Sequence, residues 1–407
     1  MIAAPAAHLV DLTRLVSRQD KGALTGIDRV ERAWLDHLLS RPDPLFGLVR
    51  TRLGYLLLDR RGAALVSDLA PGRAGTGPDD LTGRLTRRGD PARGRAEATL
   101  RRVARARIAQ PFLARALRRH LPDGGLYLNL GHTNLTARTL RGVARAGLRA
   151  VVMVHDTIPL DHPEFSRAGT AAAFAAKLRA VADHAACVIH LTQATRRTTE
   201  AQLARLGRVP PAIVAPLGIT PPHPDPAALP AGLATAGPYF VALGTIEPRK
   251  NHALLLDVWA GLAQGGGAIP HLFILGNRGW ADPALLARLD ARPAGITVLH
   301  GLPDGAVAAL LAGARALLFP TRAEGYGLPP LEAAALGTPV VCSNLPVLRE
   351  VLSEYPVYLD PSDSYAWLET ISGLAGGSGG TGSGGHVSFP SWDEHFNAVL
   401  SQSRYLP

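Results

Sequence analysis

The sequence has little that would place this protein in a membrane or in an oxidising compartment. Only two of its 407 residues are cysteines, and Cys187 and Cys342 both lie in apolar, strand-like runs. Two such cysteines are typical of buried core thiols and not of a disulfide framework. No apolar run reaches the roughly 18 residues of a membrane span, and the first residues lack the basic and apolar regions of a signal peptide. We therefore predict a cytoplasmic protein.

Metal-binding patterns are absent as well. No Asp-x-Asp pair follows a strand-like run, and no cluster of His, Cys and Asp has the spacing of a metal site. A strongly anionic ligand would then have to be held by cationic side chains and backbone N–H groups. We predict a protein that requires no metal and no cofactor.

Positive charge is in excess and unevenly distributed. The formal net charge is +10 and the sequence pI is about 10.2. Between Arg84 and Arg119 there are twelve arginines and only two acidic residues, Asp90 and Glu97. Apolar residues such as Leu100 and Phe112 recur among them at roughly helical spacing, which is typical of a basic amphipathic helix on anionic lipid. A solvated arginine face explains the same charge. Nucleic acid is not indicated, because neither a pattern of interleaved aromatic residues nor a known binding motif accompanies the charge.

Beyond residue 125, apolar runs alternate with helical stretches. Because the strands are apolar throughout, this alternation indicates an α/β protein whose parallel sheets are covered by helices on both faces. The proline-rich segment 220–238 is a predicted linker between two halves of similar size. The predicted strands are residues 126–130, 150–155, 187–192, 212–216, 239–244, 271–276, 297–300, 316–320 and 339–343.

A glycine- and serine-rich tract lies near the C-terminus. Residues 376–389 are predicted to form a flexible linker, because a segment of this composition cannot bury a core. The next segment is predicted to be a short helix, capped by Ser391 with Glu394 three positions later.

The most informative segment runs from Phe319 to Ser343. It carries two carboxylates, Glu324 and Glu332, around a Gly-Tyr-Gly turn and a Pro-Pro helix start. We expect Glu332 to lie in the first helical turn. Free N–H groups at a helix start beside a glycine turn suit phosphate, and the carboxylates suit hydroxyl groups. A nucleotide sugar has both features, although an acid in a first helical turn is also ordinary dipole matching.

This segment resembles the signature of retaining glycosyltransferase family 4, in which two glutamates eight positions apart lie in an EGFGLP…LEA setting. The resemblance implies that Glu332 accepts hydrogen bonds from the donor ribose and that Glu324 contacts the donor sugar. It also implies that the diphosphate or sugar is held by the backbone of Gly325, Tyr326, Gly327 and Leu328.

The family implies the GT-B fold, in which two Rossmann-like domains face each other across a cleft. Residues 1–220 would form the acceptor domain and residues 237–375 the nucleotide-sugar domain. A helix within residues 390–407 would cross back to the first domain. In such open α/β sheets the ligand binds at the carboxyl ends of the strands.

A second segment, residues 239–252, resembles the donor-phosphate loop of the same family. The resemblance implies that Lys250 neutralises the leaving diphosphate. Many members carry an arginine where this chain has Thr245, so Arg249 is our candidate for the second charge. Gly244, at the end of the strand, is a further candidate for donor contact. A solvated basic loop is the alternative interpretation.

In the N-terminal half, His155 and Asp156 follow a predicted strand. Their surroundings resemble the HDxIPL motif of a subgroup of the family, whose histidine faces the donor sugar across the cleft. A buried core histidine is the alternative. Gly26, in a Thr-Gly pair before a predicted helix, resembles the glycine loop of the cleft. Asn134 is a candidate for contact with the acceptor.

The segment that begins at Gly276, another donor-contact candidate, joins these motifs in resembling mannosyltransferases of lipopolysaccharide and polysaccharide biosynthesis. This resemblance implies retaining, metal-independent transfer of a hexose, with mannose from GDP-mannose favoured, to a polysaccharide, lipopolysaccharide or lipid-linked acceptor. Three alternatives remain. One is a UDP-sugar transferase of the same fold, and another is a non-catalytic nucleotide-sugar-binding module. The third is a GT-B epimerase of UDP-amino sugars, which would need more acids and histidines in the cleft than His155.

Overall fold

The computed structural model describes residues 7–19, 22, 24–69, 77–233, 235–377 and 388–403. Within them, the N-terminal half forms an eight-stranded sheet in the order β4-β3-β2-β1-β5-β6-β7-β8. Strand β3 pairs antiparallel with both β2 and β4, and the other pairs are parallel. The strands are β1 Ala7–Asp11, β2 Leu45–Thr51, β3 Gly54–Leu58, β4 Ala106–Ile108, β5 Gly125–Asn129, β6 Leu148–Met153, β7 Cys187–His190 and β8 Ala212–Val214.

The C-terminal half forms a six-stranded sheet in the order β11-β10-β9-β12-β13-β14, and every pairing is parallel. Its strands are β9 Tyr239–Leu243, β10 His271–Leu275, β11 Ile296–Leu299, β12 Ala316–Phe319, β13 Val340–Ser343 and β14 Val357–Leu359. Parallel strands need crossover helices, which cover both faces of each sheet. The α/β class and the two parallel-rich sheets expected from the sequence are confirmed.

Seventeen helices lie within the described ranges. In the N-terminal half they are α1 Thr13–Ser17, α2 Gly26–Ser40, α3 Arg60–Asp68, α4 Leu81–Thr86, α5 Pro91–Val103, α6 Leu113–His120, α7 Ala137–Arg145, α8 Ile158–Asp161, α9 Thr170–His184 and α10 Gln193–Arg205. The others are α11 His252–Gln264, α12 Pro283–Asp290, α13 Asp304–Ala312, α14 Leu328–Ala335, α15 Pro346–Leu352, α16 Ser364–Ala375 and α17 Trp392–Ser403.

The strand orders place the functional region. The direction of winding reverses between β1 and β5 in the first sheet and between β9 and β12 in the second. Loops leave such a pair of neighbouring strands in opposite directions, which opens a crevice at their carboxyl ends. Each half of the chain therefore has one crevice, and the strand orders of the two sheets put the motif residues beside these two points.

The two halves also pack on each other. Helix α17 contacts α2 and β8 of the N-terminal half, where Trp34 Nε1 donates to His395 Nε2 at 3.0 Å. Ser391 and Glu394 form the expected capping box. On α15, Glu350 accepts the backbone N–H groups that begin α10. Most of the predicted linker 376–389 lies outside the described residues.

The basic segment between Arg84 and Arg119 is not one amphipathic helix, so that interpretation was wrong. It is divided into α4, α5, β4 and α6. Glu97 is fully buried and accepts hydrogen bonds from Arg87 and Arg93, because a buried carboxylate requires cationic partners. Within the described part of the chain, no helix has the length and apolar character needed to cross a bilayer.

Candidate active site

The two crevices face each other, and contacts across the gap define the cleft. A methyl group on Gly325, after β12, would come within 2.8 Å of the His155 carbonyl oxygen and 3.0 Å of Asp156 Oδ2. Gly26, at the start of α2, similarly lies 3.4 Å from Leu328 at the start of α14, measured from the position of an added Cβ. Glycine at these two positions lets the two halves approach closely.

The loop after β9 brings Lys250 back over the end of the strand. Gly244 has a φ of +148°, a value that favours glycine. A Cβ there would lie 3.2 Å from Lys250 Cε, and a Cβ on Gly276 would lie 2.0 Å from the Gly244 carbonyl oxygen. The Lys250 ammonium also lies over the Phe319 ring, 4.4 Å from its centroid. The backbone of both strand ends is thus fitted around this lysine.

A charged cluster links the β9 loop to the β12 loop. Glu324 Oε2 accepts hydrogen bonds from Lys250 Nζ at 2.7 Å and from Arg249 Nη1 at 2.9 Å. Arg249 also pairs with Glu247 at 2.7 Å and donates to the Ala323 carbonyl at 3.0 Å. Of the two cations, Arg249 is therefore the more firmly fixed, and Lys250 has only one carboxylate partner among the described residues.

The charge states follow from burial and pairing. Burial alone would raise the pKa of Glu324, but Arg249 and Lys250 outweigh it and hold that pKa at about 2. Burial lowers the pKa of Lys250, against the pull of Glu324, and burial raises the pKa of Asp156, which Arg249 opposes. Glu324 is thus an ionised hydrogen-bond acceptor at neutral pH and not a proton donor.

The Gly-Tyr-Gly turn presents backbone N–H groups beside this cluster. No hydrogen bond within the described residues uses the N–H of Tyr326 or Gly327. The Tyr326 ring is buried, and its hydroxyl donates to the Leu217 carbonyl at 2.9 Å, which anchors the turn. Gly327 has a φ of +100° and caps α14. Free N–H groups in such a concave turn form a site suited to anions.

Glu332 lies further along α14 than expected. The helix begins at Leu328, so Glu332 is its fifth residue and lies beyond the first turn, which corrects the sequence prediction. Glu332 Oε1 accepts a hydrogen bond from Arg29 on α2, and Arg29 also pairs with Asp304. Sequence reasoning missed Arg29. The sequence could have pointed to Arg29 because it lies one turn after Gly26, on the face of α2 that packs against α14.

His155 is neutral and oriented. Burial lowers its pKa to about 4. Its Nε2 lies 2.6 Å from the Leu130 carbonyl oxygen, and because a carbonyl only accepts, Nε2 carries the hydrogen. Nδ1 is then a lone-pair acceptor. The backbone N–H of His155 donates to His132 Nε2 at 3.2 Å, so a second histidine, which the sequence analysis did not single out, lies beside it.

Asn134 is held by its own half of the chain. Its Nδ2 donates to Asp11 Oδ2 at 2.8 Å, and its Oδ1 accepts from Thr139 at 3.1 Å. Tyr127 donates to the same Asp11 oxygen. These bonds fix a loop in which both His132 and Asn134 have positive φ values, of 59° and 62°. The structure thus gives Asn134 a clear supporting role, while its contact with an acceptor stays a prediction.

Two further predicted positions lie at the outer edge of the site. Thr245 is exposed and lies against Gly279, with Cγ2 at 2.8 Å from the position of an added Cβ. The Gly276 carbonyl accepts a hydrogen bond from His300 Nδ1 at 2.6 Å. The described residues contain no group of three or more His, Cys, Asp or Glu side chains that could hold a metal ion.

Part of the chain is similar in sequence to known glycosyltransferases. Residues 230–374 match the family "Glycosyl transferases group 1", so the C-terminal half contains a group 1 glycosyltransferase domain. The serotype-specific mannosyltransferase WbdA of Escherichia coli is 32% identical over 241 residues, which are 54% of this chain and 29% of WbdA. The O-antigen chain mannosyltransferase B of Escherichia coli is 39% identical over 127 residues, 31% of this chain and 33% of that protein. The matches thus span about a third or less of these relatives.

Solved structures show the fold. Anabaena HepE, determined in complex with UDP and glucose, has a TM-score of 0.60 at 15% identity and covers 98% of this chain and 95% of its own. Sucrose-phosphate synthase from Thermosynechococcus elongatus has a TM-score of 0.58 at 14% identity and covers 98% of both chains. The protein has the GT-B fold, as the sequence predicted.

Proposed function

We propose that this protein is a retaining glycosyltransferase that moves a hexose, with mannose from GDP-mannose favoured, to a growing polysaccharide, a lipopolysaccharide or a lipid-linked saccharide. The observation that carries the proposal is the cluster of Lys250, Arg249 and Glu324 beside the unbonded N–H groups of the Gly-Tyr-Gly turn. It combines cations and backbone donors for a diphosphate with an ionised carboxylate for sugar hydroxyls.

The side chains divide the work as follows. Lys250 meets the negative charge that grows on the diphosphate as the bond from the anomeric carbon to the phosphate oxygen breaks. Arg249, already bonded to Glu247 and Glu324, fixes the loop and contributes the second charge. Glu332, with one oxygen held by Arg29, binds the ribose hydroxyls.

His155 and Glu324 hold the sugar from opposite sides of the cleft. His155 Nδ1 accepts a hydrogen bond from a sugar hydroxyl. The acceptor hydroxyl oxygen forms the new bond on the face that the diphosphate leaves, and its proton passes to the departing phosphate oxygen. This scheme needs no protein nucleophile, and we propose that it needs no metal.

The choice of mannose rests on the relatives, both of which are mannosyltransferases by name. A UDP-sugar donor is the second candidate, because HepE, which has the same fold, was determined with UDP-glucose. The residues described above contact phosphate and hydroxyl groups and do not select between the two bases.

A donor panel tests the proposal. The purified protein would be incubated with GDP-mannose, UDP-glucose, UDP-galactose and UDP-N-acetylglucosamine, and products followed by NMR and mass spectrometry. We expect slow hydrolysis of GDP-mannose, an α-linked product with saccharide acceptors, and the same rate with EDTA. A β-linked product, or loss of activity with EDTA that manganese restores, contradicts the mechanism. Epimerised UDP-sugars would indicate an epimerase, and binding without turnover a non-catalytic module.

We also propose that one edge of the N-terminal half touches the membrane. Although the amphipathic helix was wrong, the structure exposes Leu81 and Leu85 on α4 by 72% and 57%, and Phe112 by 60%. Exposed arginines, including Arg84 and Arg115, lie on the same segments. Each basic residue near anionic lipid contributes about 1 kcal/mol, and the apolar side chains add interfacial burial.

Liposome sedimentation tests this contact. We expect binding to anionic vesicles that weakens with salt and is lost when Leu81, Leu85 and Phe112 are changed together to Ser. Changing Val209, which is also exposed but lies on another part of the N-terminal half, is the matched control. Equal binding to neutral and anionic vesicles would contradict the proposal.

A further inference from the structure

The chain uses lysine very rarely. Of its 43 basic residues only three are lysines, Lys21, Lys177 and Lys250. Where arginine supplies nearly every cation, a lysine marks a place that suits a compact ammonium better than a planar guanidinium. Lys250 occupies such a position in the proposed donor site. Lys21 lies outside the described residues, which leaves Lys177 to be explained.

Lys177 lies on the N-terminal side of the cleft. It is in the middle of α9, one turn after Phe174, whose ring contacts that of His132 at 5.7 Å between centroids. The Lys177 side chain is half-buried, and its charge, after burial and the neighbouring His155, lowers the pKa of His132. It makes no hydrogen bond or ion pair with the described residues.

Two more charged groups adjoin the same loop. A Cβ on Gly131, the residue before His132, would lie 2.0 Å from Glu31 Oε1 and 2.8 Å from Arg14 Cδ. Glu31 is only 3% exposed, and its Oε2 has no hydrogen-bond partner among the described residues. A buried polar atom without a partner costs about 1–3 kcal/mol, so a bound group that hydrogen-bonded to this oxygen would recover that free energy.

The charges in this cluster do not balance. Arg14 is paired with Asp28 at 2.7 Å. Burial raises the pKa of Glu31 well above its usual range and lowers that of His132 well below it, which favours the neutral form of each group. Lys177, one turn after the Phe174 that contacts His132, keeps a positive charge without an ion-pair partner among the described residues, while Glu31 and Arg14 lie against the neighbouring Gly131.

We propose that Lys177, Arg14 and Glu31 form a subsite for a phosphoryl group carried by the acceptor. This inference rests on the proposed function, since it assigns the anionic part of the substrate that meets the donor in the cleft. A phosphate ester carries a negative charge that can pair with Lys177, and oxygens that accept hydrogen bonds from Lys177, Arg14 and the protonated form of Glu31. The acceptor class is then a sugar phosphate or phosphate-linked saccharide, and not a neutral glycan.

The scarcity of lysine makes a direct experiment possible. Reductive methylation with ¹³C-formaldehyde labels only three side chains and the N-terminus, and keeps their charge. Single Lys→Arg variants assign the signals. GDP or UDP is added first, to fill the donor site, and inorganic phosphate or phenyl phosphate is then titrated. We expect the Lys250 signal to move with the nucleotide and the Lys177 signal to move, saturably, with phosphate.

Two variants test whether Glu31 contributes to the phosphate subsite. Glu31→Ala should weaken phosphate binding at Lys177 about tenfold, as expected for the loss of one hydrogen bond to a charged group. Arg179→Met is the control, because Arg179 is on the same helix and donates away from the cleft, to the Leu206 carbonyl. It should leave the titration unchanged.

The remaining outcomes of the titration contradict either the acceptor subsite or the proposed function. A Lys177 signal that ignores phosphate, or that follows only the nucleotide, overturns the acceptor subsite while the donor site stands. A Lys250 signal that responds to neither nucleotide overturns the proposed function itself, whatever Lys177 does.

Discussion

The two sides of the cleft treat buried charge in opposite ways. On the C-terminal side, Lys250 and Arg249 share one oxygen of Glu324, so that each buried charge has a partner. On the N-terminal side, Glu31 keeps an oxygen without a hydrogen bond, and Lys177 forms no ion pair within the described residues. We call the C-terminal side a closed network, because its charged groups are paired, and the N-terminal side an open network, because Glu31 and Lys177 lack such partners.

The difference shows where each side obtains its stability. A buried pair that is fully hydrogen-bonded holds its geometry by itself, whereas removing one partner leaves an uncompensated charge. An open group costs free energy in the folded protein and is compensated only when something binds. The C-terminal side is therefore preorganised by the fold, and we infer that the N-terminal side is completed by its substrate. The predictions below test this contrast.

The largest effect is expected from Glu324→Ala. It strands two buried cations and should lower the free energy of unfolding by about 3–5 kcal/mol at pH 7. Because the pKa of Glu324 in the folded protein is depressed from 4.5 to about 2, its stabilisation is present above about pH 4.5 and is lost as the pH falls towards 2. Urea unfolding at pH 7, 5 and 3 should show the difference from the wild type shrinking with acid. If the difference in unfolding free energy stayed the same at all three pH values, the ionised Glu324 would not be what stabilises the C-terminal side of the cleft.

Lys250→Met should reduce turnover about 10²–10³-fold, by analogy with the loss of one preorganised donor to a developing charge. Donor affinity should change less, because the charge on the diphosphate grows only as the bond breaks. Steady-state kinetics with the active donor separates kcat from KM. Transfer within threefold of the wild type would show that the C-terminal network is structural.

Glu332→Ala should weaken binding of the nucleoside diphosphate by about 1–3 kcal/mol, through lost charge-assisted hydrogen bonds to the ribose. Calorimetry with GDP and UDP measures it. Arg29→Ala is the companion variant, since Arg29 supports Glu332 from across the cleft and also pairs with Asp304, and its effect should be smaller. Unchanged affinity in Glu332→Ala removes this residue from the donor site.

Glu31→Gln should have the opposite sign to Glu324→Ala. Burial raises the pKa of Glu31, so its contribution to stability is greatest below the pKa of the unfolded chain and is lost as the pH rises. A neutral side chain of the same size should therefore leave the protein about as stable at pH 4 and make it more stable at pH 8, with a gain that grows as the pH rises between these values. Destabilisation at pH 8 would mean that the ionised carboxylate has a partner after all.

The smallest effect is expected from Thr245→Arg, which restores the arginine common in the resembled family. Thr245 is exposed at the rim, and Arg249 already supplies the second charge, so kcat/KM should change by less than about threefold, or 0.7 kcal/mol. Arg249→Ala is the paired variant and should lose most of the activity. A large gain from Thr245→Arg would instead show that the rim position, and not Arg249, carries the charge.

Much of the C-terminal half could be predicted, because its information is local. Its predicted strands are all present, with bounds that differ by about one residue. Only β14, three residues long, gave too short an apolar run. Lys250 and Glu324 were both identified from their own motifs. Their pairing could not be, since it depends on β9 and β12 being neighbours in the sheet although they are 74 positions apart at the contact.

The first part of the chain was harder to predict. Strands β1 to β4 were missed, and β3 and β4 are short antiparallel strands at the edge of the sheet. The segment between Arg84 and Arg119 was wrongly predicted to be one amphipathic helix, because apolar spacing across 36 positions does not reveal where a helix ends. Arg101 donates a hydrogen bond to Asp80, which lies more than twenty positions earlier in the chain, so its charge is paired within the fold. Glu332 was placed in the wrong turn because helix α14 begins before its two prolines.

By itself the sequence determined the α/β class, the strands of the second half and the motif residues, because apolar runs, glycine turns and capping residues act over a few positions. The tertiary structure decided which of these groups meet. Arg29 reaches Glu332 from 303 positions away, and Arg14 and Glu31, on two separate helices, both lie against Gly131. Such contacts arise only when the fold brings distant helices together, since charge pairing in a cleft depends on distances that no local pattern contains.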